Sequence, residues 1–383
     1  MEKLNDEIEA VVSRNYATMK HWMRAWVHNS IINHGIFRNE EHSHSLFEMK
    51  DQGRLRPAII VGGGASLDDI LDDEVKCAKI RDMVNSEEAI LLCPNSVVRP
   101  LPARGIKPWA YIAMHPTGDI VNGFRLGPND WLDFENKRLI TATAIHPNVV
   151  NRWLGIDSYG QHTSKSGEIY LTIHDHADPL RVVVGSKDGQ LAVRDISSKH
   201  SPSDWYGAVQ PLMWNKDGDT FDLFPWQKKG HAIPEMNNMG CVVNYGILVA
   251  TILGCGPILT IGTDFSYVPD ENDHPRERCD DWRFEEGAFV RQKLTPNEHM
   301  AKIGLRPIKE ADGIKGNKLL CSNSMVSYRG SIQSIFKNLK HRSGEPVDLV
   351  NCSGDGIVVD LPRMDICEAL DTIKGGKWCQ REQ

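Results

Sequence analysis

The segment Ile59-Ile60-Val61-Gly62-Gly63-Gly64-Ala65-Ser66-Leu67-Asp68-Asp69 carries the residue types from which phosphate-binding turns are built: an apolar strand, three glycines and a helix start. Glycine lets backbone approach an anion closely, and Ser66 or Asp68 can cap a helix whose free N–H groups favour negative charge. A tight strand–helix connection with no ligand has the same signature, so the turn alone leaves both readings open. Four other apolar runs end in residues that carry chemistry. Asn95 and Ser96 follow Ile90-Leu91-Leu92-Cys93-Pro94, and the Asn95 amide offers a donor and an acceptor to a base or ribose. Thr263 and Asp264 follow Ile258-Leu259-Thr260-Ile261-Gly262, where the carboxylate can hold Mg²⁺, a ribose hydroxyl or a helix N-terminus. His115 and Asn351 also follow strand-like runs. His274, in the polar run Pro269-Asp270-Glu271-Asn272-Asp273-His274, has the side chain for general acid or base work near neutral pH. His174 and His176 alternate as two ligands on a strand would, but two ligands do not make a zinc site and no C-x-x-C or H-E-x-x-H accompanies them.

These positions need a scaffold, and the hydrophobic pattern supplies one. From Pro57 onward, short β-rich runs alternate with helical stretches, as in a parallel sheet with crossovers. The predicted strands are Ala58 to Val61, Ala89 to Cys93, Ala110 to Met114, Leu139 to Ala142, Pro257 to Gly262 and Val347 to Asn351. Predicted helices cover Leu67 to Val84, Met239 to Leu253 and Ser331 to Leu339. In an open parallel sheet, ligands bind beyond the carboxyl ends of the strands, which places Gly62 to Asp68, Asn95 and Ser96, His115 and Pro116, Thr141 to Thr143, Thr263 to Tyr267 and Asn351 to Gly356 along one rim.

Ahead of this region, apolar residues from Ile8 to Ile31 recur at helical spacing, predicting an amphipathic docking helix that packs on the body or on a second copy as a homo-oligomer. His42 and His44 follow in a polar connector and read as solvated. Residues 1–50 are thus a helical extension and 51–383 one α/β domain, with an inserted β-rich lobe at about 151–235 and a polar, proline-containing excursion at 268–318. The lobe includes the predicted strands Glu168 to Ile173, Arg181 to Val184 and Leu191 to Val193.

Composition bounds the function. With 40% hydrophobic and 25% charged residues, the 383-residue chain can bury a full core. Its net charge of -7 gives no overall attraction to nucleic acid or an anionic membrane. Nine scattered cysteines without a C-x-x-C pair read as reduced thiols, and no apolar run reaches the roughly 18 residues of a membrane span. The expectation is a cytoplasmic protein.

Three separated segments resemble the MptE-like superfamily, named for archaeal 6-hydroxymethylpterin diphosphokinase and also found in the flagellin-modifying motility accessory factors (Maf). They are Ile60 to Asp68, similar to a G-x-G-P-S-L-D turn; Met239 to Tyr267, similar to a helix–strand–G-x-D segment; and Leu349 to Ile357, similar to an N-x-[ST]-x-x-G-x-x-I element. The first two also resemble family 42 sialyltransferases, whose nucleotide-contacting Asn matches Asn95. Ala65 stands where the family has proline, and Trp109 and His115 stand where it has acids.

The resemblance implies an open Rossmann-like, mostly parallel sheet with helices on both faces, and a nucleotide-dependent transferase. In that reading Gly62, Gly63, Gly64, Ser66 and Asp68 hold phosphates, Asn95, Ser96, Thr263 and Asn351 line the nucleotide, and Asp264 and His274 act in catalysis. The donor is a CMP- or UDP-sugar for glycosyl transfer to a small-molecule or glycan acceptor. The alternative donor is ATP, for a diphosphokinase acting on a hydroxymethylpterin-like substrate with Mg²⁺ on Asp68 or Asp264. A non-catalytic nucleotide- or sugar-binding protein is the third alternative.

Overall fold

The computed structural model describes residues 41–126, 130–157, 166–174, 240–269, 308–340, 346–358 and 360–376 continuously, with shorter stretches between 25 and 37, between 183 and 291, and at isolated positions elsewhere. The strands used below are, in chain order, β1 (Ser43–Ser45), β2 (Ala58–Val61), β3 (Ile90–Pro94), β4 (Ala110–Ala113), β5 (Arg138–Ala142), β6 (Glu168–His174), β7 (Glu235–Met236), β8 (Ile258–Ile261), β9 (Ile308–Asp312), β10 (Lys318–Ser322) and β11 (Leu349–Asn351). The helices are α1 (Ser66–Asp72), α2 (Glu74–Asn85), α3 (Pro147–Trp153), α4 (Val242–Ile252), α5 (Asn323–Asn338) and α6 (Ile366–Lys374).

The chain divides into two compact units, each made of three chain segments: 1–49, 113–122 and 133–237 in the first, and 50–112, 123–132 and 238–383 in the second. The second unit holds five parallel strands in the order β4-β3-β2-β8-β11. Every residue of β2, β3, β4 and β8 is buried, as expected of strands covered on both faces. This explains their near-continuous Ile, Leu, Val and Ala content. Helix α4 lies against β2, where a Cβ on Gly246 would come within 3.0 Å of Ile60, so the small residue permits the close approach. Helix α4 also packs on α5, and α2 on α6. The predicted helix from Leu67 to Val84 is two helices, because the Asp73 side chain accepts hydrogen bonds from the Val75 and Lys76 N–H groups and starts α2 afresh.

In the first unit, β5 pairs in parallel with β6, and β6 with β1 and β7. Glu168–His174, assigned to the inserted lobe on sequence grounds, is therefore a member of a parallel ladder; its Ile169, Tyr170 and Leu171 are buried as a ladder strand requires. The strands expected near Arg181 and Leu191 form an antiparallel hairpin, Val183–Gly185 with Ala192–Arg194. The turns at 187–189 and 216–218 lie outside the described residues.

His44 corrects a second expectation. It sits on β1 rather than in a solvated connector, with Nδ1 3.0 Å from Glu48 Oε2 and its ring stacked 5.0 Å from Tyr170. Its Nε2 is 3.5 Å from Glu168 Oε2. A three-residue strand gives too short a pattern to read from sequence.

Of the predicted N-terminal helix, the residues from Ile8 to Met23 lie outside the described residues. The described residues between 25 and 37 are helical and bury Trp26, Asn29, Ser30, Asn33 and Phe37. That face is partly polar. Asn29 Nδ2 donates to the Pro116 and Ala144 carbonyls, and Asn33 Nδ2 to those of Thr143 and Ile145, so the helix fastens the segments that follow β4 and β5. Among the described residues no helix is long and apolar enough to cross a membrane.

Candidate functional site at the strand ends of the second unit

Chain order reverses between β2 and β8. The strands to one side of β2 follow it directly in sequence (β3, then β4), whereas β8 and β11 on the other side come nearly two hundred residues later. Such a reversal is a topological switch point, where open α/β sheets place ligands beyond the carboxyl ends of the strands. The residues leaving β2 here are Gly62, Gly63 and Gly64, and those leaving β8 are Gly262, Thr263 and Asp264.

The two turns interlock through their backbones. Gly62 N–H donates to the Ile261 carbonyl at 2.7 Å, and Gly64 N–H to the Gly262 carbonyl at 2.8 Å. A Cβ on Gly62 would overlap the Gly262 carbonyl, and one on Gly64 would lie 2.5 Å from Asp264 Oδ2. Gly262 itself is left-handed, with φ of 64°. The glycines at 62 and 64 are thus required by the neighbouring turn, a reason the sequence alone does not disclose. Gly63 and Gly64 are half-buried, Gly62 fully.

Asp264 is buried, and both its carboxylate oxygens accept from Ser66: Oδ2 from the backbone N–H at 2.8 Å and Oδ1 from the hydroxyl at 2.5 Å. Of the roles that the sequence left open for this residue, the geometry is that of a helix cap supplied from a distant strand end. Burial pushes its carboxyl up to about 6; the two Ser66 hydrogen bonds act in the opposite direction, and Asp69 and Asp355 add to the rise. Asp68, the other residue named for Mg²⁺, is also buried. Among the described residues, no three His, Cys, Asp or Glu side chains are grouped as a metal site. Each Asp264 oxygen is already engaged by a Ser66 donor.

The third motif supports the same corner. Asn351 Oδ1 accepts from the Ser353 N–H at 3.0 Å, an Asx turn that bends the chain directly after β11. Ser353 Oγ in turn accepts the Thr263 N–H at 2.8 Å, and Ile357 N–H donates to the Asp264 carbonyl at 2.9 Å. Gly354 packs on Ser66 and Gly356 on the Asp264 backbone, where a Cβ would come within 2.7 Å in each case. Ser353 falls within the rim segment Asn351 to Gly356 expected from sequence, and its hydroxyl ties that segment to the turn after β8.

The hairpin β9–β10, which begins in the predicted polar excursion and ends beyond it, braces this loop. Asp355 Oδ1 accepts the Lys315 N–H, Asp355 Oδ2 accepts from Asn317 Nδ2, and Tyr267 pairs with Leu320 above a small core of Leu319, Cys321, Met325 and Ile357. Asn95 and Ser96, both half-buried, form a 3₁₀ turn at the end of β3, the strand beside β2. A Cβ on Gly123 would meet Asn95 Nδ2 at 2.7 Å, so chain from the 123–132 segment lies against that amide. His115 is exposed at the end of β4 and its Nδ1 is 2.7 Å from Thr117 Oγ1. His274 and His176 lie outside the described residues, and so do the side chain of His174 and those of the basic residues at 276 and 278.

The strand order, the buried parallel strands and the helical crossovers define an α/β protein with a Rossmann-like, mostly parallel sheet. Among solved structures, the chain is similar to a Maf glycosyltransferase from Magnetospirillum magneticum AMB-1, with a TM-score of 0.50 and 14% sequence identity. The match covers 93% of this chain and 41% of that one, so this chain spans about two-fifths of the neighbour's length. No family model matches the sequence, and no curated protein does.

Proposed function

We propose that the chain is a nucleotide-dependent transferase that moves a glycosyl group from a nucleotide-sugar to a small-molecule or glycan acceptor. The observation that carries this reading is the strand-order reversal at β2 and β8, with a glycine turn on one side and Asn95 at the end of the adjacent strand. The likeness of the fold to a Maf glycosyltransferase adds weight to glycosyl over diphosphoryl transfer. So does the engagement of Asp264 by Ser66, since diphosphoryl transfer from ATP relies on metal-held phosphates.

In this reading the half-buried Gly63 lies beside the donor's phosphates and the Asn95 amide meets the nucleoside. Asp264 and Ser66 keep the turn in place rather than touch the reacting atoms. An acceptor hydroxyl attacks the anomeric carbon, the bond from that carbon to the phosphate oxygen breaks, and the nucleotide leaves. The hydroxyl's proton goes to a base, for which His274 is the candidate side chain. The seven described cysteines are free thiols, which supports a reducing, cytoplasmic setting.

A thermal-shift screen of the full chain with CMP, UDP, GDP and ATP, each with and without Mg²⁺, tests the reading. Stabilisation by a pyrimidine nucleotide without metal is the expected result. Stabilisation by ATP with Mg²⁺ alone points to the diphosphokinase, and no response to any nucleotide removes both.

A further inference from the structure

The loop Ser353–Gly356 brings one more charged group to the switch point. Arg363 forms a bridge with Asn351, and its Nη2 donates to the Gly354 carbonyl at 2.8 Å and the Ser353 carbonyl at 3.4 Å. Gly354 is the residue that packs on Ser66, and Gly356 lies on the Asp264 backbone. The guanidinium is therefore fastened to the same short loop that seats against the glycine turn's helix. Its charge is not neutralised: among the described residues no carboxylate pairs with it, and its buried Nε has no hydrogen-bond acceptor. Asp365, two residues on, is engaged by Lys76 at 3.0 Å and by the Cys367 N–H at 2.8 Å. The two carbonyls supply hydrogen bonds but no countercharge, so the guanidinium keeps its full positive charge beside this loop. The Ser66 N–H and hydroxyl, meanwhile, are already taken by Asp264, so an anion arriving at these strand ends needs a different donor.

We propose that Arg363 is the anion anchor of this site and binds a phosphate group, which in the nucleotide-dependent reading above is a phosphate of the donor. The inference rests on that reading for the source of the phosphate. Guanidinium suits the task because its planar fork of N–H donors matches phosphate oxygens, keeps its charge at any physiological pH and is weakly hydrated.

Calorimetric titration of the full chain with UDP and CMP, with inorganic phosphate, and with uridine and cytidine as phosphate-free controls, tests it in wild type, Arg363→Gln and Arg363→Lys. The expected result is that Arg363→Gln weakens nucleotide binding by about tenfold or more, the loss of one charged hydrogen bond. Nucleoside binding stays unchanged, and Arg363→Lys recovers part of the loss. A folded Arg363→Gln variant that binds nucleotide as tightly as wild type overturns the anchor and leaves the nucleotide reading standing. Wild type that binds inorganic phosphate in an Arg363-dependent way, with no preference for nucleotide, upholds the anchor and removes the nucleotide. Binding of neither overturns both. If Arg363→Gln does not fold, salt titration of wild type decides: nucleotide affinity that falls with salt while nucleoside affinity does not is the expected outcome, and salt-independent nucleotide binding overturns the proposal.

Discussion

Asp264, at the end of β8, accepts both the backbone N–H and the hydroxyl of Ser66, the first residue of α1, across 198 positions of sequence. A buried carboxylate thus sits where α1 presents its first N–H groups, and it does so at a cost in desolvation that Ser66 offsets only in part. Protonation relieves that cost. Because the folded pKa of about 6 stands above the ordinary carboxylate value of 3.8, the folded state binds the proton more tightly than the unfolded chain. This residue's contribution to stability is greatest below pH 4, declines as pH rises to about 6 and is constant above, a swing on the order of 3 kcal/mol. Urea denaturation of wild type and Asp264→Asn across this range checks the sign. The wild type loses stability relative to the variant as pH rises, and parallel curves show that Asp264 does not titrate in that window.

Ser66→Ala removes one of the two donors. Asp264 Oδ1 is then buried without a partner, and the expected cost is about 1–3 kcal/mol at neutral pH, where the carboxylate is charged. The loss shrinks toward pH 4 as the carboxyl takes up its proton, so the difference between wild type and Ser66→Ala itself depends on pH. A cost that is the same at both pH values indicates that the hydroxyl serves packing rather than the carboxylate.

Glycines at 62 and 330 respond in opposite directions. In Gly62→Ala the new methyl overlaps the Gly262 carbonyl, backbone that is itself tied into the interlocked turns, so the melting temperature falls by an amount corresponding to about 1–3 kcal/mol or the variant fails to fold. Gly330 lies on the exposed side of α5 with nothing within 4 Å of a built Cβ, so Gly330→Ala raises stability by up to about 1 kcal/mol. Differential scanning calorimetry of the two variants reads both signs. Equal effects would mean that the approach of β2 and β8 leaves room for a side chain.

The six strands anticipated in the apolar runs all occur, because strands buried on both faces are written in the sequence as uninterrupted Ile, Leu, Val and Ala. Short or mixed elements were not legible: β1 has three residues, and the hairpin β9–β10 lies in a stretch whose exposed positions are polar. The glycine turn shows a subtler limit. Its residue types announce close backbone approach, yet they do not say what approaches; the described partner is the turn after β8. Likewise Asp264 and Ser66 were each legible as candidates, while their mutual contact was not, since it depends on β2 and β8 being neighbours. Arg363 gave no signal in the chain because its neighbours, the Ser353 and Gly354 carbonyls, are set only by the folded loop. The buried amides of the N-terminal helix were hidden for a related reason: Asn29 and Asn33 fall on the face that a helical pattern marks as apolar.

Those amides support a last prediction. Asn33 Nδ2 donates to the carbonyls of Thr143 and Ile145 at 2.8 and 2.7 Å in fully buried surroundings. Neither carbonyl gains water when the donor is removed, so Asn33→Ala leaves two buried acceptors short and costs about 2–4 kcal/mol, more than a surface asparagine would. Asn33→Asp is the harsher change, since a carboxylate has no N–H to give and would face two carbonyl oxygens. Amide hydrogen exchange locates the effect: in Asn33→Ala, protection falls in the segment after β5 and in the described helical residues between 25 and 37 while the β2–β3 ladder of the second unit keeps its protection. Loss of protection throughout both units would show instead that the helix is required for the whole chain to fold.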